Sequence, residues 1–521
     1  MPARTAVLIG EGLLPLRCAD LLLEKGFEVV GVISPTEELR SWADKRGIAR
    51  IGSREPIDAF LLRHPFDLLF SIVNNRLLGS EALSFPRLGA VNYHNSLLPR
   101  FAGTNASSWA ILEQEEMHGV TWHLMTTRAD AGDILKQARF PIEPRETAWT
   151  LDLKCYERAL ATFEELLSDL PGLLKDAEKQ DLARRTFYSA TRKPPNAGII
   201  SWRSSAEAID RLVRALTVSP RLNPFASPLV ALGEHYWIVS CLDVTSVRST
   251  QAPGTIVDHS SGGLDVATAT HDVRIRALRT ADGEEVEIEA LVRGVGLARG
   301  DVLPEIEPGI VASIAQEARR SAADEEFWAS RLERVTPLRL PSPPPSSPHK
   351  SEDSHASFPL GRLASIECPL ELVDELPSAL SLLLGFLGRV AGLRCFDVGF
   401  SDESGEEPSP WRKRFFAPYL PLQIDFDASW TIGQAEAHVR ERLRLLAEAG
   451  TFARYLIGRY SKLRGGAGGP AWEMPIVVTV EAGATCPLWT PGAQLVIDLS
   501  LERKVATWWF DPRSTPADLA R

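Results

Sequence analysis

Over roughly the first third of the chain, apolar segments alternate between strand-like and helix-like stretches. Ala6–Ile9 is a short unbroken apolar run, Leu13–Lys25 reads as a helix, and Glu28–Ile33 is apolar again. Asp67–Ile72, Ala90–Tyr93 and Thr121–Met125 are expected as further strands. Strands alternating with helices predict βαβ units and a mostly parallel sheet, hence an α/β fold. A long helix is expected over Thr147–Leu170. Its residues Leu153, Tyr156, Leu160, Phe163, Leu167 and Leu170 step by three and four, which predicts one buried face.

The rhythm changes near Ile199. Ala206–Leu216 reads as a helix. After it come short runs separated by turn residues: His235–Val239, Gly254–Val257, Leu264–Ala267 and Val273–Ala277. Such runs suit a small β-barrel. A third region opens near Ile314 with a charged helix ending in Phe327-Trp328. The Pro/Ser-rich stretch 341–359 reads as a mobile loop or linker, and mixed α/β sequence continues to Arg521. The expected domains are therefore 1–190, 198–305 and 315–521, with no internal repeat.

Composition narrows the function classes. A chain of 521 residues is too long for one core. A net charge of −11 argues against a nucleic-acid partner, which usually needs a basic face. Cys18, Cys155, Cys241, Cys368, Cys395 and Cys486 are scattered without a CxxC pair, so neither a metal site nor a disulfide framework is expected. The richest apolar run, near Leu380 to Val390, is broken by Arg389. It falls short of the roughly 18 residues a membrane helix needs. With no signal peptide evident, the expected location is the cytoplasm and no membrane partner is expected.

Ile9-Gly10-Glu11-Gly12 follows the first strand, but Pro15 stands where a dinucleotide fingerprint needs its third glycine. No acidic residue ends the second strand, so a tight strand-to-helix turn is the better reading. Val91-Asn92-Tyr93-His94 differs in kind. Residues two apart on a strand share a face, so Asn92 and His94 point the same way at a strand's carboxyl end. Asp130 follows in an acidic, glycine-bearing loop, with Asp133 beyond it. Singly, such a histidine is more often structural, such an asparagine a cap, and such an aspartate a solvated acid. Together they suit acyl transfer to an amine. Asn92 can donate to an oxyanion, His94 can handle the amine proton, and Asp130 can orient His94. His118 reads as a surface residue, and the facing of His123 stays open.

This segment resembles the catalytic region of the 10-formyltetrahydrofolate-dependent transferases: Asn-x-His, then Ser-Leu-Leu-Pro, then Asp-x-Gly. The thirty-six-position step from His94 to Asp130 matches the family spacing. The resemblance implies a Rossmann-like formyltransferase domain and 10-formyltetrahydrofolate as donor. It implies Asn92, His94 and Asp130 as catalytic residues. Ser96, Leu97, Leu98 and Pro99 would line the folate side, with Asp133 at the pterin pocket. Pro253-Gly254-Thr255-Ile256-Val257 and its surroundings resemble the family's small C-terminal barrel (OB-like).

The third region resembles half of a nonribosomal peptide synthetase condensation domain. The likeness rests on Phe327–Leu332, Pro337–Pro341 and Leu420–Asp425, with a helix over Ile432–Ala447 and a strand at Ile476–Val480; a further strand is expected at Val505–Phe510. The family's catalytic HHxxxDG is missing, since no two histidines are adjacent. This likeness implies a catalytically empty partner lobe. The expected acceptor is then an amino acid held as a thioester on the phosphopantetheine arm of a carrier protein, with a downstream adenylation domain as a further partner. Methionyl-tRNA, a free amino acid, hydroxylated ornithine or an amino sugar are alternative acceptors. A non-catalytic docking scaffold is the alternative from another class.

Overall fold

The computed structural model describes residues 4–52, 56–218, 223, 225–233, 235–280, 285–340, 364–369, 375–402, 415–427, 429–454, 456–457, 463, 474–481 and 493–510. They form two compact units that divide near Pro308.

The first unit is built on strands β1 (Thr5–Gly10), β2 (Glu28–Ile33), β3 (Ala49–Ile51), β4 (Leu68–Ile72), β5 (Gly89–His94), β7 (Met117–Leu124) and β8 (Ile134–Pro141). A two-residue strand, β6 (Ala102–Gly103), lies between β5 and β7 in sequence. The seven-stranded order is β3-β2-β1-β4-β5-β7-β8. The first five strands are parallel, and β7 and β8 add on antiparallel. Every residue of β4 is buried, as a strand covered on both faces requires. Side-chain alternation divides the core. Leu8, Phe70, Val91 and Trp122 pack on one face, and Val7, Ile9, Leu69 and Phe60 on the other.

The helix Ala148–Ser168 covers the first face, its Phe163 ring meeting Phe70 edge-on at 5.2 Å. Thr147 caps it reciprocally with Thr150. The expected buried face needs correction at Leu153, which is 45% exposed. The true stripe runs through Leu151, Cys155, Ala159, Phe163 and Leu166. Small Cys155 and Ala159 let the helix sit close to the sheet and turn Leu153 outward. The helix also stops at Ser168, and Leu170–Lys175 forms a separate turn with Pro171 at its start.

The rest of this unit carries β9 (Phe187–Tyr188), β10 (Leu229–Leu232), β11 (His235–Val244), β12 (Ile256–Ser260), β13 (Gly263–Val266), β14 (Val273–Arg279) and β15 (Glu285–Val286). The short β9 pairs with β6. The others form a sheet of order β10-β11-β14-β13-β12, with β15 on β14. β11, β12, β13 and β15 join their neighbours antiparallel. The helix Ala206–Leu216 packs Ile209 and Leu212 into one core with Val239, Ile275, Trp109 and Tyr188. That shared core fixes the loops around β5 against the second sheet.

The second unit holds a mixed six-stranded sheet. Its strands are β16 (Ala364–Pro369), β17 (Cys395–Asp402), β18 (Leu420–Asp425), β19 (Ile476–Val480), β20 (Leu495–Ser500) and β21 (Val505–Phe510). The order is β16-β21-β20-β19-β17-β18, with only the β17–β19 and β19–β20 pairs parallel. The helices Leu376–Ala391 and Ile432–Ala449 pack against each other. The single charged helix expected at the start is two, Pro308–Ala323 and Glu325–Leu332. Trp328 is wholly buried while Phe327 is half exposed. Arg331 pairs with buried Asp397, whose second oxygen accepts from Thr336 N–H at 2.7 Å. The Pro/Ser-rich stretch 341–359 lies outside the described residues. No described helix is long and apolar enough to cross a membrane.

Candidate active site

The carboxyl ends of β4 and β5 carry the polar cluster, where open α/β sheets place their ligands. Gly10 ends β1 so close to β4 that a Cβ there would meet Ile72 O at 1.8 Å. That close approach, with Gly12 at φ 83°, accounts for the Gly-x-Gly pair as a turn.

Antiparallel register sets Asn92 opposite His123 and His94 opposite Thr121. Asn92, His94 and His123 therefore share a face, which settles the facing of His123. Asp130 comes from the β7–β8 loop in a left-handed conformation, φ 50°. Its Oδ1 lies 3.8 Å from His94 Nδ1 and 3.5 Å from His123 Nε2. Its Oδ2 accepts from Gly103 N–H at 2.8 Å. Burial alone would raise the Asp130 pKa. The neighbouring His94 and His123 and the Gly103 donor outweigh it and hold the carboxyl well below the usual range.

Both imidazoles have one nitrogen fixed by a carbonyl. His94 Nε2–H donates to Phe101 O at 2.8 Å, leaving Nδ1 toward Asp130. His123 Nδ1–H donates to Leu124 O at 2.8 Å, and its Nε2 lies between Asn92 Nδ2 at 3.2 Å and Asp130 Oδ1 at 3.5 Å. Asn92 Nδ2 also reaches Tyr93 O at 3.1 Å. To serve an oxyanion, Asn92 must release one of these bonds.

The expected folate-side loop is placed differently residue by residue. Ser96 and Leu98 are buried, with Ser96 Oγ donating to Arg100 O at 2.8 Å. Thr121 Oγ1 donates to Ser96 O at 2.6 Å, and Gln137 Nε2 donates to Leu98 O at 2.9 Å. Leu97 and Pro99 are partly exposed, and Leu98–Pro99 is a cis peptide. Asp133, also partly exposed, gives its carbonyl to Leu124 N–H at 2.8 Å. His118 is not a surface residue. It is 1% exposed in β7, beside Ser107 Oγ at 3.4 Å. Its strand lies between β5 and β8 inside the sheet and packs against the helix Ala148–Ser168, which the isolated motif did not reveal. Burial first, then the charge of His94, pull its pKa down to about 4.

Residues 54–165, which contain this whole cluster, match the formyl transferase family model. Residues 193–296 match the formyl transferase C-terminal domain. The chain is a formyltransferase. Its donor is a formyl-tetrahydrofolate, and the β10–β15 sheet is its matched C-terminal domain. Among solved structures, an N-formyltransferase from Helicobacter canadensis, in complex with folinic acid and dTDP-3-aminofucose, aligns at 16% identity and TM-score 0.42. That alignment covers 53% of this chain and 99% of the other. HypX from Aquifex aeolicus, in complex with tetrahydrofolic acid, aligns at 17% identity and TM-score 0.38, over 58% of this chain and 51% of its own. A 4-N formyltransferase from Francisella tularensis aligns at 17% identity and TM-score 0.37, over 42% and 90%. The transferase spans about half the length of HypX.

Val73 and Leu77, 40% and 71% exposed, stand in the loop leaving the carboxyl end of β4.

Proposed function

We propose that Asn92, His94 and Asp130 are the transfer centre and that the acceptor is the amino group of a phosphopantetheine-bound aminoacyl thioester. The observation that carries the catalytic reading is the buried Asp130 carboxylate facing both His94 and His123 within 4 Å. The donor, when bound, supplies the formyl carbon. His94 Nδ1 is the ring nitrogen left to take the amine proton, because Nε2–H is spent on Phe101 O. Asp130 steadies the positive charge that His94 then carries, and that proton passes to the donor's N10 as its bond to the formyl carbon breaks and tetrahydrofolate leaves. Asn92 exchanges its bond to Tyr93 O or His123 for the carbonyl oxygen as charge builds there. We read Ser96 and Leu98 as framing the folate side through the loop they fasten, and the partly exposed Leu97, Pro99 and Asp133 as the members that meet the donor.

The acceptor reading is supported by the second unit, whose β18 strand and Ile432–Ala449 helix occupy the segments similar to a condensation domain. We read this unit as a catalytically empty half-condensation domain at 315–521, following a transferase domain at 1–190 and a small barrel at 198–305. A carrier protein and an adenylation domain are the partners this implies, and a cytoplasmic location goes with it. Esterification removes the carboxylate's charge and lowers the amine's pKa, which favours attack near neutral pH. The test offers one amino acid free, on tRNA and on a carrier protein, with an amino sugar alongside, and follows formylation by mass spectrometry. Fastest transfer to the carrier-bound form supports the proposal. Faster transfer to any other form, at matched concentration, overturns it.

A further inference from the structure

The segment from Glu178 to Tyr188 connects the first sheet's closing helix to the second sheet. It makes hydrogen bonds to both arms of the site. On the Asp130 side, Glu178 pairs with Ile134 in both directions, at 2.7 and 2.8 Å. Gln180 Nε2 donates to the carbonyls of Asp130 at 3.1 Å and Gly132 at 2.6 Å. Arg185 Nη2 donates to the Ala129 carbonyl at 2.9 Å. On the His94 side, Phe101 N–H donates to Thr186 Oγ1 at 2.8 Å, and Ala102 N–H to Thr186 O at 3.0 Å. These are the residues flanking the Phe101 carbonyl that holds His94 and the Gly103 amide that holds Asp130.

We propose that Gln180 and Arg185 are positioning residues for formyl transfer, clamping the turn from which Asp130 reaches the two histidines. This rests on the catalytic reading of Asp130 above. Three observations carry it. Asp130 is a non-glycine residue at φ 50°, a conformation that persists only where its surroundings hold it. Gly132 packs its Cα against the β7 backbone, where a Cβ would meet Leu124 O at 1.8 Å. Gln180 places two carbonyls at one end of its amide, so that end is the NH2, and its own Oε1 is buried with no partner. The side chain thus acts as a donor only. Arg185 lies with its guanidinium 4.8 Å from the Phe187 ring centre, which fixes its plane. Its charge also sits within electrostatic reach of Asp130.

The experiment uses the full chain with Gln180→Ala, Arg185→Ala, Arg185→Lys and Asp130→Ala. Amide exchange at Gly103, whose N–H bonds Asp130, reads the placement of that carboxylate without any acceptor. Both clamp alanine variants should speed exchange there by roughly tenfold while β1 and β4 amides keep their rates. Turnover of 10-formyltetrahydrofolate should lose roughly 10- to 100-fold in kcat with donor KM little changed. Arg185→Lys should recover part of that loss. Gln180→Ala should add nothing in the Asp130→Ala background. Unchanged exchange and kcat in both clamp variants, or a full extra loss on top of Asp130→Ala, overturns the proposal. Wild-type turnover by Asp130→Ala would instead sink the catalytic reading, and Gly103 exchange would still judge the clamp.

Discussion

His94 has each ring nitrogen committed to a different task, and substitution should separate them. His94→Ala or Asn92→Ala should lower the formylation rate by roughly two to four orders of magnitude, the range for losing an acid/base or oxyanion group. Near-wild-type rates in folded variants would remove both from the mechanism. His118 gives a different signal. Its pKa falls from the ordinary 6.5 to about 4 on folding. Between those values the unfolded chain binds a proton that the folded one refuses, so stability must fall as pH drops from about 6.5 toward 4. The lost increment is roughly 2–4 kcal/mol. Urea midpoints across that range should slope less in His118→Gln than in the parent. Parallel slopes would mean that His118 is not the group responsible. Asp130 has the opposite charge type and a depressed pKa, so its contribution is present above the ordinary carboxylate value near 3.9 and is lost only below it. At this scale the grouping of Asn92, His94 and Asp130 was legible, because strand parity sets the first two on one face and the family spacing brought in the third. His123 was not, since its facing depends on the β5–β7 register. Gln180 and Arg185 were invisible, because nothing local marks a side chain that serves a distant carbonyl.

Strands with strong apolar runs were read with their true bounds: Glu28–Ile33, Leu420–Asp425, Ile476–Val480 and Val505–Phe510. β8 escaped notice because Lys136, Gln137 and Arg139 interrupt it, as suits an edge strand with polar exposure. Leu153 misled because spacing by three and four fixes a stripe but not which stripe meets the sheet. The helix Glu325–Leu332 has its own fastening in Arg331, which bonds Asp397 and the Pro421 carbonyl at 3.2 Å. Asp397→Ala leaves that guanidinium buried beside nothing acidic and should cost roughly 3–5 kcal/mol. Replacing both partners with apolar residues of similar volume should cost far less. Urea unfolding followed by tryptophan fluorescence distinguishes the two, and equal losses would show that packing, not charge, is what the pair provides.

In the whole molecule, every residue argued to touch the transfer centre lies before residue 190 and within the first compact unit. A chain ending at Pro308 should therefore unfold cooperatively and bind a 10-formyltetrahydrofolate analogue with the affinity of the full chain, as read by calorimetry. Loss of binding in a folded truncation would show that the second unit completes the donor site. The order β3-β2-β1-β4-β5-β7-β8 was not legible in the sequence, because nothing in β7 or β8 alone says that they run antiparallel.

The clamp has a consequence in time as well as space. Phe101 and Thr186, which close it, stand 85 residues apart along the chain. A ribosome that has released β1 through β8 has delivered the motif residues without their fastening. The nascent enzyme should thus acquire a folded sheet before it acquires a competent centre. Chains stalled short of Gln180 should protect β1 and β4 from protease yet leave the Asp130 loop open to cleavage, and chains stalled well past Tyr188 should protect both. Equal protection at both lengths would mean that the loop orders itself unaided.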